Sequence, residues 1–394
     1  MSGHARERGR GRWELRVCVG RDPLTGRTRY ETKTVAANGR REAEKALAAF
    51  VTSLGTTGVA ADGTFGELVE RWIATAAPGW SPANEVTVRR AVSYYLGPLV
   101  PLRLDRVRTA DLDAFYAALR ERGGRNGRPL AVSTVRRVHS VVRAALEQGV
   151  RWDWLAVNPA AKASPGPGEQ ADIQAPAPEA VLALLERAER DDQAFAVFLV
   201  LAAVTGARRG ELVALRWPDV DLDLGTLTIS RAISVGVQGP VERKRPKTKS
   251  SMRQIALDEG TVELLAAHRA RATQRGLACG ISLPPTSFVF SHEPDGSTPW
   301  RPDYVSLKFR RLRKGLGLDD VRLHDLRHFV ATTLLGAGVD LRTVAGRLGH
   351  AAGGRTTLAV YAHFLQAPDR EAAQLLGRLL TAPQDPTLSE GGAR

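Results

Sequence analysis

Two runs near the start of the chain, RWELRVCVG (12–20) and TRYETKTV (28–35), alternate apolar and polar residues, and the turn-rich RDPLTG lies between them. A period of two joined by a turn predicts a β-hairpin. The next segment, REAEKALAAFVTSL (41–54), changes to helical spacing. From Thr64 the spacing stays helical. TFGE (64–67) is a capping box, with Thr64 as N-cap and Glu67 reaching back. Four helices follow, in ELVERWIATAA (67–77), EVTVRRAVSYYL (85–96), ADLDAFYAALRER (110–122) and VSTVRRVHSVVRAALEQGV (132–150). Residues 158–180 carry five prolines and no apolar period, which predicts an extended interdomain linker. Helical spacing resumes in PEAVLALLERAER, AFAVFLVLAAVTG and RGELVALRW. GTLTISRAISV and RQIAL then read as strands, joined by the basic ERKRPKTKSSM, and helices return from Tyr304.

These elements predict a multidomain, mainly α protein with small β-sheets. Residues 1–60 form a β-sheet-plus-helix module headed by an Arg-rich tail over residues 1–12, which has no predicted element of its own. A helical domain spans 61–157, the linker 158–180, a mixed α+β domain 181–381, and a loose tail 382–394.

Charge sharpens the picture. Lys and Arg number 56 against 42 Asp and Glu in 394 residues, a net +14. Such an excess points to a polyanionic partner, nucleic acid first. No long basic amphipathic helix argues for a membrane surface. Two cysteines, Cys18 and Cys279, exclude a disulfide scaffold and fit a reducing cytosol. AFAVFLVLAAV, the most apolar run, is too short to span a bilayer. On the helices of 61–157, Arg89, Arg90, Arg136 and Arg137 interleave with Tyr94, Tyr95 and Tyr116, so a DNA-facing surface competes with an ordinary solvated one. Arg8, Arg10 and Arg12 offer phosphate contacts from the tail.

Candidate chemistry lies in four fragments of the last domain. His324, Arg327 and His328 crowd the first turn of a helix, where positive charge opposes the macrodipole. Either they form a structural cluster with Asp325, or they cradle an anion. A zinc site on His324 and His328 lacks an adjacent third ligand. In TGARRGELVALRW, Arg208 sits in a Gly-containing turn and Glu211 is spaced to orient it. RKRPKTKSSMR (243–253) holds six basic residues and no acid. Lying between two strands, it reads as a hairpin tip, with Arg243, Lys244, Arg245 and Lys249 flanking Lys247. In GRLGHAAGGRTTLAVYAHF, His350 ends one short helix and Tyr361 lies on the next.

In order and spacing these fragments resemble the tyrosine recombinases, the phage-integrase type of site-specific DNA recombinase. The resemblance rests on T-G-x-R-x-x-E-L at 205–212, the hairpin lysine Lys247, H-x-L-R-H at 324–328, L-G-H at 348–350 and Y-x-H at Tyr361. It covers the last domain fully, resembles a core-binding (SAM-like) domain more loosely in 61–157, and an arm-type DNA-binding domain in 1–60. It implies that Arg208, Arg327, His324 and His350 hold a scissile phosphate, that Lys247 protonates the leaving oxygen, and that Tyr361 is the nucleophile. It implies no metal and no other cofactor. Double-stranded DNA with core and arm-type sites is the implied substrate, a homotetramer the implied assembly, and a bacterial or phage-encoded cytoplasmic enzyme the implied setting. A DNA-bending protein or excision factor stays open as a further partner. The rival readings are a type IB-like topoisomerase and a catalytically silent DNA-binding relative.

Overall fold

The computed structural model describes residues 3–9, 11–21, 28–56, 63–168, 175–243 and 252–350. The chain divides into two compact units, 1–170 and 171–394. Among the described residues the fold is mostly helical with small antiparallel sheets, as the hydrophobic pattern predicts.

The first unit opens with a three-stranded sheet rather than a hairpin, in the order β1 (Gly3–Gly9), β2 (Arg12–Arg21), β3 (Thr28–Ala36). The segment expected to be a structureless tail therefore contains an antiparallel strand, with Ala5 opposite Leu15 and Glu7 opposite Trp13. Its side chains are almost all exposed, so no apolar pattern could reveal it. Backbone pairing with β2 and an Arg8–Glu14 ion pair hold it, and its charges suit an edge strand. Trp13, Leu15 and Val17 face inward, and Ala43 of α1 (Arg40–Thr56) is buried as well.

Four helices follow: α2 (Phe65–Ala76), α3 (Pro82–Tyr95), α4 (Thr109–Arg122) and α5 (Val132–Arg151). The capping box forms as read: Thr64 Oγ1 accepts from the Glu67 amide at 3.2 Å, and Glu67 Oε2 accepts from the Thr64 amide at 2.8 Å. Phe65, Leu68, Leu96, Leu112, Val135, Val142 and Leu146 make the core. Tyr116 belongs to that core and is fully buried beside His139, so it is not part of a DNA-facing surface. Arg89, Arg90, Arg136 and Arg137 are exposed, as is Tyr94. The proline-rich segment is not extended from its start. Asn158 caps a single turn at Pro159–Ala161, Ala160 and Ala163 are buried, and the Thr109 hydroxyl donates to the Pro159 carbonyl. Short residues let this stretch lie against α4 and α5 where periodicity gives no sign of it.

The second unit is built around α7 (Gln193–Thr205), which is buried on nearly every side, as its all-round apolar sequence requires. Asp192 ends α6 (Pro178–Asp191) and caps α7 through the Phe195 amide. The RGELVALRW helix is one turn long, α8 (Arg209–Leu212), because the chain then leaves to pair Arg216 with Phe288. The strands are β4 (Val220–Asp221), β5 (Thr226–Ile229), β6 (Ala232–Gly236), β7 (Gly239–Arg243) and β8 (Arg253–Ala256). β5 pairs with β4 and β8, whereas β6 and β7 form a separate hairpin. Residues 244–251 of the basic run, expected to be a hairpin tip, lie outside the described residues. A helix the pattern missed, α9 (Glu259–Ala278), buries a stripe of Thr261, Leu265, His268, Ala272 and Gly276, too small and polar to register as apolar periodicity. The unit closes with α10 (Pro302–Gly315), α11 (Asp325–Gly336) and α12 (Leu341–Leu348). No described helix is long and apolar enough to cross a membrane.

Leu146 is fully buried in the helical core. Leu146→Ala should destabilise the chain by about 2–5 kcal/mol through lost burial and a residual cavity. An unchanged urea midpoint would contradict that packing.

Candidate active site

The site begins at the end of α7. Gly206 takes a left-handed conformation (φ 62°) to stop the helix, and an added Cβ would stand 2.4 Å from Leu348 Cδ2. Only glycine fits that turn without strain. The turn does two things at once. It aims the Gly206 carbonyl at Arg327, whose Nη1 donates to it at 2.7 Å, and it delivers Arg208 to the start of α8. Arg327 is 3% exposed, whereas the Arg208 side chain is 43% exposed. One guanidinium is a fixture of the wall, and the other opens to solvent.

Glu211, buried one turn into α8, fixes Arg208 twice. Its Oε2 accepts from the Arg208 amide and its Oε1 from Arg208 Nη1, each at 2.9 Å. The same Oε2 also accepts from Arg253 Nη2 at 2.8 Å. Burial alone would raise the Glu211 pKa, but its bonds and charge contacts with Arg253 and Arg208 bring it below the ordinary value.

Arg208, Arg209, Ser306, Arg322, His324 and Arg327 line a cleft of about 400 Å³. His324 stands immediately before α11, its ring 5.1 Å from that of His328 and perpendicular to it. Asp325 is bonded by Arg322, through the backbone amide at 2.8 Å and the side chain at 3.0 Å, and its charge also acts on both His324 and His328. His350 follows the left-handed Gly349 that ends α12, with its amide on the Ala345 carbonyl at 2.9 Å. Both imidazoles titrate far below normal. Partial burial, then His328, Arg327 and Arg208, push His324 down to about 4. Partial burial, then Arg327, Arg208 and Arg253, push His350 down to about 4. Burial is the largest cause for each, and Arg327 and Arg208 act on both. Within the described residues no group of three or more His, Cys, Asp or Glu is placed to hold a metal.

Arg208, Glu211, His324, Arg327 and His350 thus come together. Arg89, Arg90, Arg136 and Arg137 are exposed on α3 and α5 of the first unit, and Arg89 is paired with Glu85 at 2.8 Å. Arg8 and Arg12 lie on β1 and β2, and Arg243 ends β7. Arg10, Lys244, Arg245, Lys247, Lys249 and Tyr361 lie outside the described residues. Sequence reading passed over Arg253 and Arg347. Arg347 donates to the Val204 carbonyl at 3.0 Å and Arg253 to the Arg347 carbonyl at 2.7 Å. A signal existed for Arg253: on β8 it shares parity with the buried Ile255, so it faces inward.

Residues 177–367 match the model of the phage integrase family. That segment of the chain matches the family, and relatives named integrase or tyrosine recombinase are similar over most of its length. It is 24% identical over 383 residues to the ICEBs1 integrase of Bacillus subtilis (strain 168), across 94% of this chain and 98% of that one. It is 25% identical over 338 residues to a tyrosine recombinase XerC-like protein of Caldanaerobacter subterraneus, across 81% and 84%. The fold resembles that of the Tn1549 transposon integrase in complex with a circular intermediate DNA, with TM-score 0.64 and 19% identity over 79% of this chain and 99% of that one. It also resembles a lambda integrase dimer bound to a COC′ core site, with TM-score 0.56 and 17% identity over 90% and 94%.

The histidines give the site a pH signature. Unfolded histidine titrates near 6.5, and these two titrate at about 4 when folded. Between those values the unfolded chain holds protons that the folded chain does not, so their stabilising contribution is complete above about pH 6.5 and is lost as pH falls toward 4. NMR titration of the free protein should place both imidazoles near 4. Titration near 6.5 would show that the imidazoles are neither buried nor close to Arg208 and Arg327.

Proposed function

We propose that this protein is a site-specific integrase that cuts and rejoins double-stranded DNA through a covalent 3′-phosphotyrosine, inserting or excising a mobile element. The observation that carries this reading is the convergence of Arg208, His324 and Arg327 on one cleft, whose two arginines also act on the half-buried His350. A phosphodiester repels an attacking oxyanion, and guanidiniums on its non-bridging oxygens remove that repulsion and stabilise the charge that builds up at the transition state. Arg208 is open enough to reach an incoming phosphate, and Arg327 is held rigidly behind it. His324 and His350, neutral at pH 7 in the free protein, each bring an N–H donor without adding to the repulsion among the cations.

The reaction assigned to Tyr361 and Lys247 follows from this cradle. The Tyr361 oxygen attacks phosphorus, a P–O bond to tyrosine forms, and the bond to the 5′ oxygen breaks. Lys247 gives that oxygen a proton. A phenol with a pKa near 10 is a weak nucleophile until cations favour its ionised form. Attack by a 5′ hydroxyl on the phosphotyrosine reverses the step on another strand, so neither ATP nor a metal enters the balance. A topoisomerase would share the chemistry. A β-module and a helical domain ahead of the catalytic unit favour exchange between two sites, as do relatives that are named integrases. Core DNA for the helical domain, arm-type DNA for the β-module and a homotetramer complete the proposal. In a bacterial cell this places the enzyme at the nucleoid, where a DNA-bending protein or excision factor could set direction.

Tyr361→Phe should abolish covalent DNA adducts while leaving site binding nearly unchanged. Adducts that persist in the Phe variant would remove Tyr361 from its role. Affinity for DNA should fall by roughly 10³–10⁵ between 50 and 200 mM salt if six to ten phosphates are contacted. A flat salt response would contradict phosphate-based binding.

A further inference from the structure

Arg208 is fixed by a carboxylate, and that creates a difficulty. A guanidinium paired one-to-one with Glu211 is neutral as a unit and has little attraction for a phosphate. The pair is not isolated, however. The Arg253 side chain is 6% exposed and also bonds Glu211, through Oε2, so the three groups together carry one net positive charge. Arg253 also donates through Nε to the Arg347 carbonyl at 2.7 Å, in the last turn of α12. The glycine that follows leaves room for this contact: a Cβ on Gly349 would stand 2.7 Å from Arg253 Nη1. One side chain therefore touches both the anchor of Arg208 and the turn that presents His350.

Building on the recombinase reading, we infer that Arg253 is a positioning residue: it takes up the charge of Glu211, so that Glu211 orients Arg208 without neutralising it, and it holds the His350 turn against the same carboxylate. Arginine suits the task because its planar fork can bond a carboxylate and a carbonyl at once. Lysine would keep the charge but not both bonds. Glutamine would keep some bonding but lose the charge. Among the described residues Arg253 bonds Glu211 and the Arg347 carbonyl. Its effect passes through Arg208 and His350.

The test uses the full chain and a nicked duplex carrying the junction sequence that flanks this gene, with covalent adduct formation and noncovalent binding measured separately. Arg253→Gln should lower adduct formation by about a hundredfold, the loss typical of one electrostatic donor at a phosphoryl site, with far less effect on DNA binding. Arg253→Lys should be intermediate. Adding Glu211→Gln to Arg253→Gln removes the unbalanced carboxylate and should recover about tenfold, a coupling usual for groups in direct contact. The His350 titration should move up from about 4 in Arg253→Gln, because one of the cations holding it down is gone. Equal activity of the Lys and Gln variants, or a double variant no faster than Arg253→Gln, would reduce Arg253 to packing and overturn the inference. If Arg253→Gln does not fold, the double variant decides: cleavage supports charge balance, and a folded but inactive protein overturns it. Failure of the wild-type chain to form any adduct would instead strike the recombinase reading.

Discussion

Like charges gather in this protein because helix ends hold them. The last turn of α7 presents the Val204 and Gly206 carbonyls to Arg347 and Arg327, and the last turn of α12 presents the Arg347 carbonyl to Arg253. A helix C-terminus carries about half a unit of negative charge in unsatisfied carbonyls, enough to favour cations there. Two unit charges about 5 Å apart repel by about 3 kcal/mol at an effective dielectric of 20. Carbonyl dipoles offset such repulsion without adding a full negative charge. Carboxylates would offset it more strongly and would cancel the field a phosphate needs.

That economy of acids organises the rest of the site. One carboxylate, Glu211, serves two arginines, and the buried Asp325 is paired with Arg322. The two glycines at 206 and 349 matter for the same reason. Both adopt left-handed turns that end a helix and bring its carbonyl end against a guanidinium. The depressed histidines record the outcome: partial burial first, and then the nearby arginines, disfavour a further proton.

Much of the scaffold could be read from spacing. The capping box at Thr64, the helices of the first unit and the fully apolar α7 each carry a strong local pattern that packing then follows. The misses share one cause. β1 is held by backbone pairing and α9 by a stripe of small and polar residues, so neither offers apolar periodicity. Tyr116 sits in sequence among arginines yet points into the core, because α4 rotates it there rather than toward the charged face.

The residue types, their order and their spacing were settled by the chain alone: Arg208 beside its glycine, His324 three before Arg327, His350 after L-G, and a strongly basic balance. These are local or compositional properties, so they need no fold to be visible. Which charges share a partner was decided only by tertiary structure. Arg253 and Glu211 are 42 positions apart, and Arg327 and Gly206 are 121 apart. Contacts at such separations depend on how helix ends meet across a core, and no window of sequence contains that information.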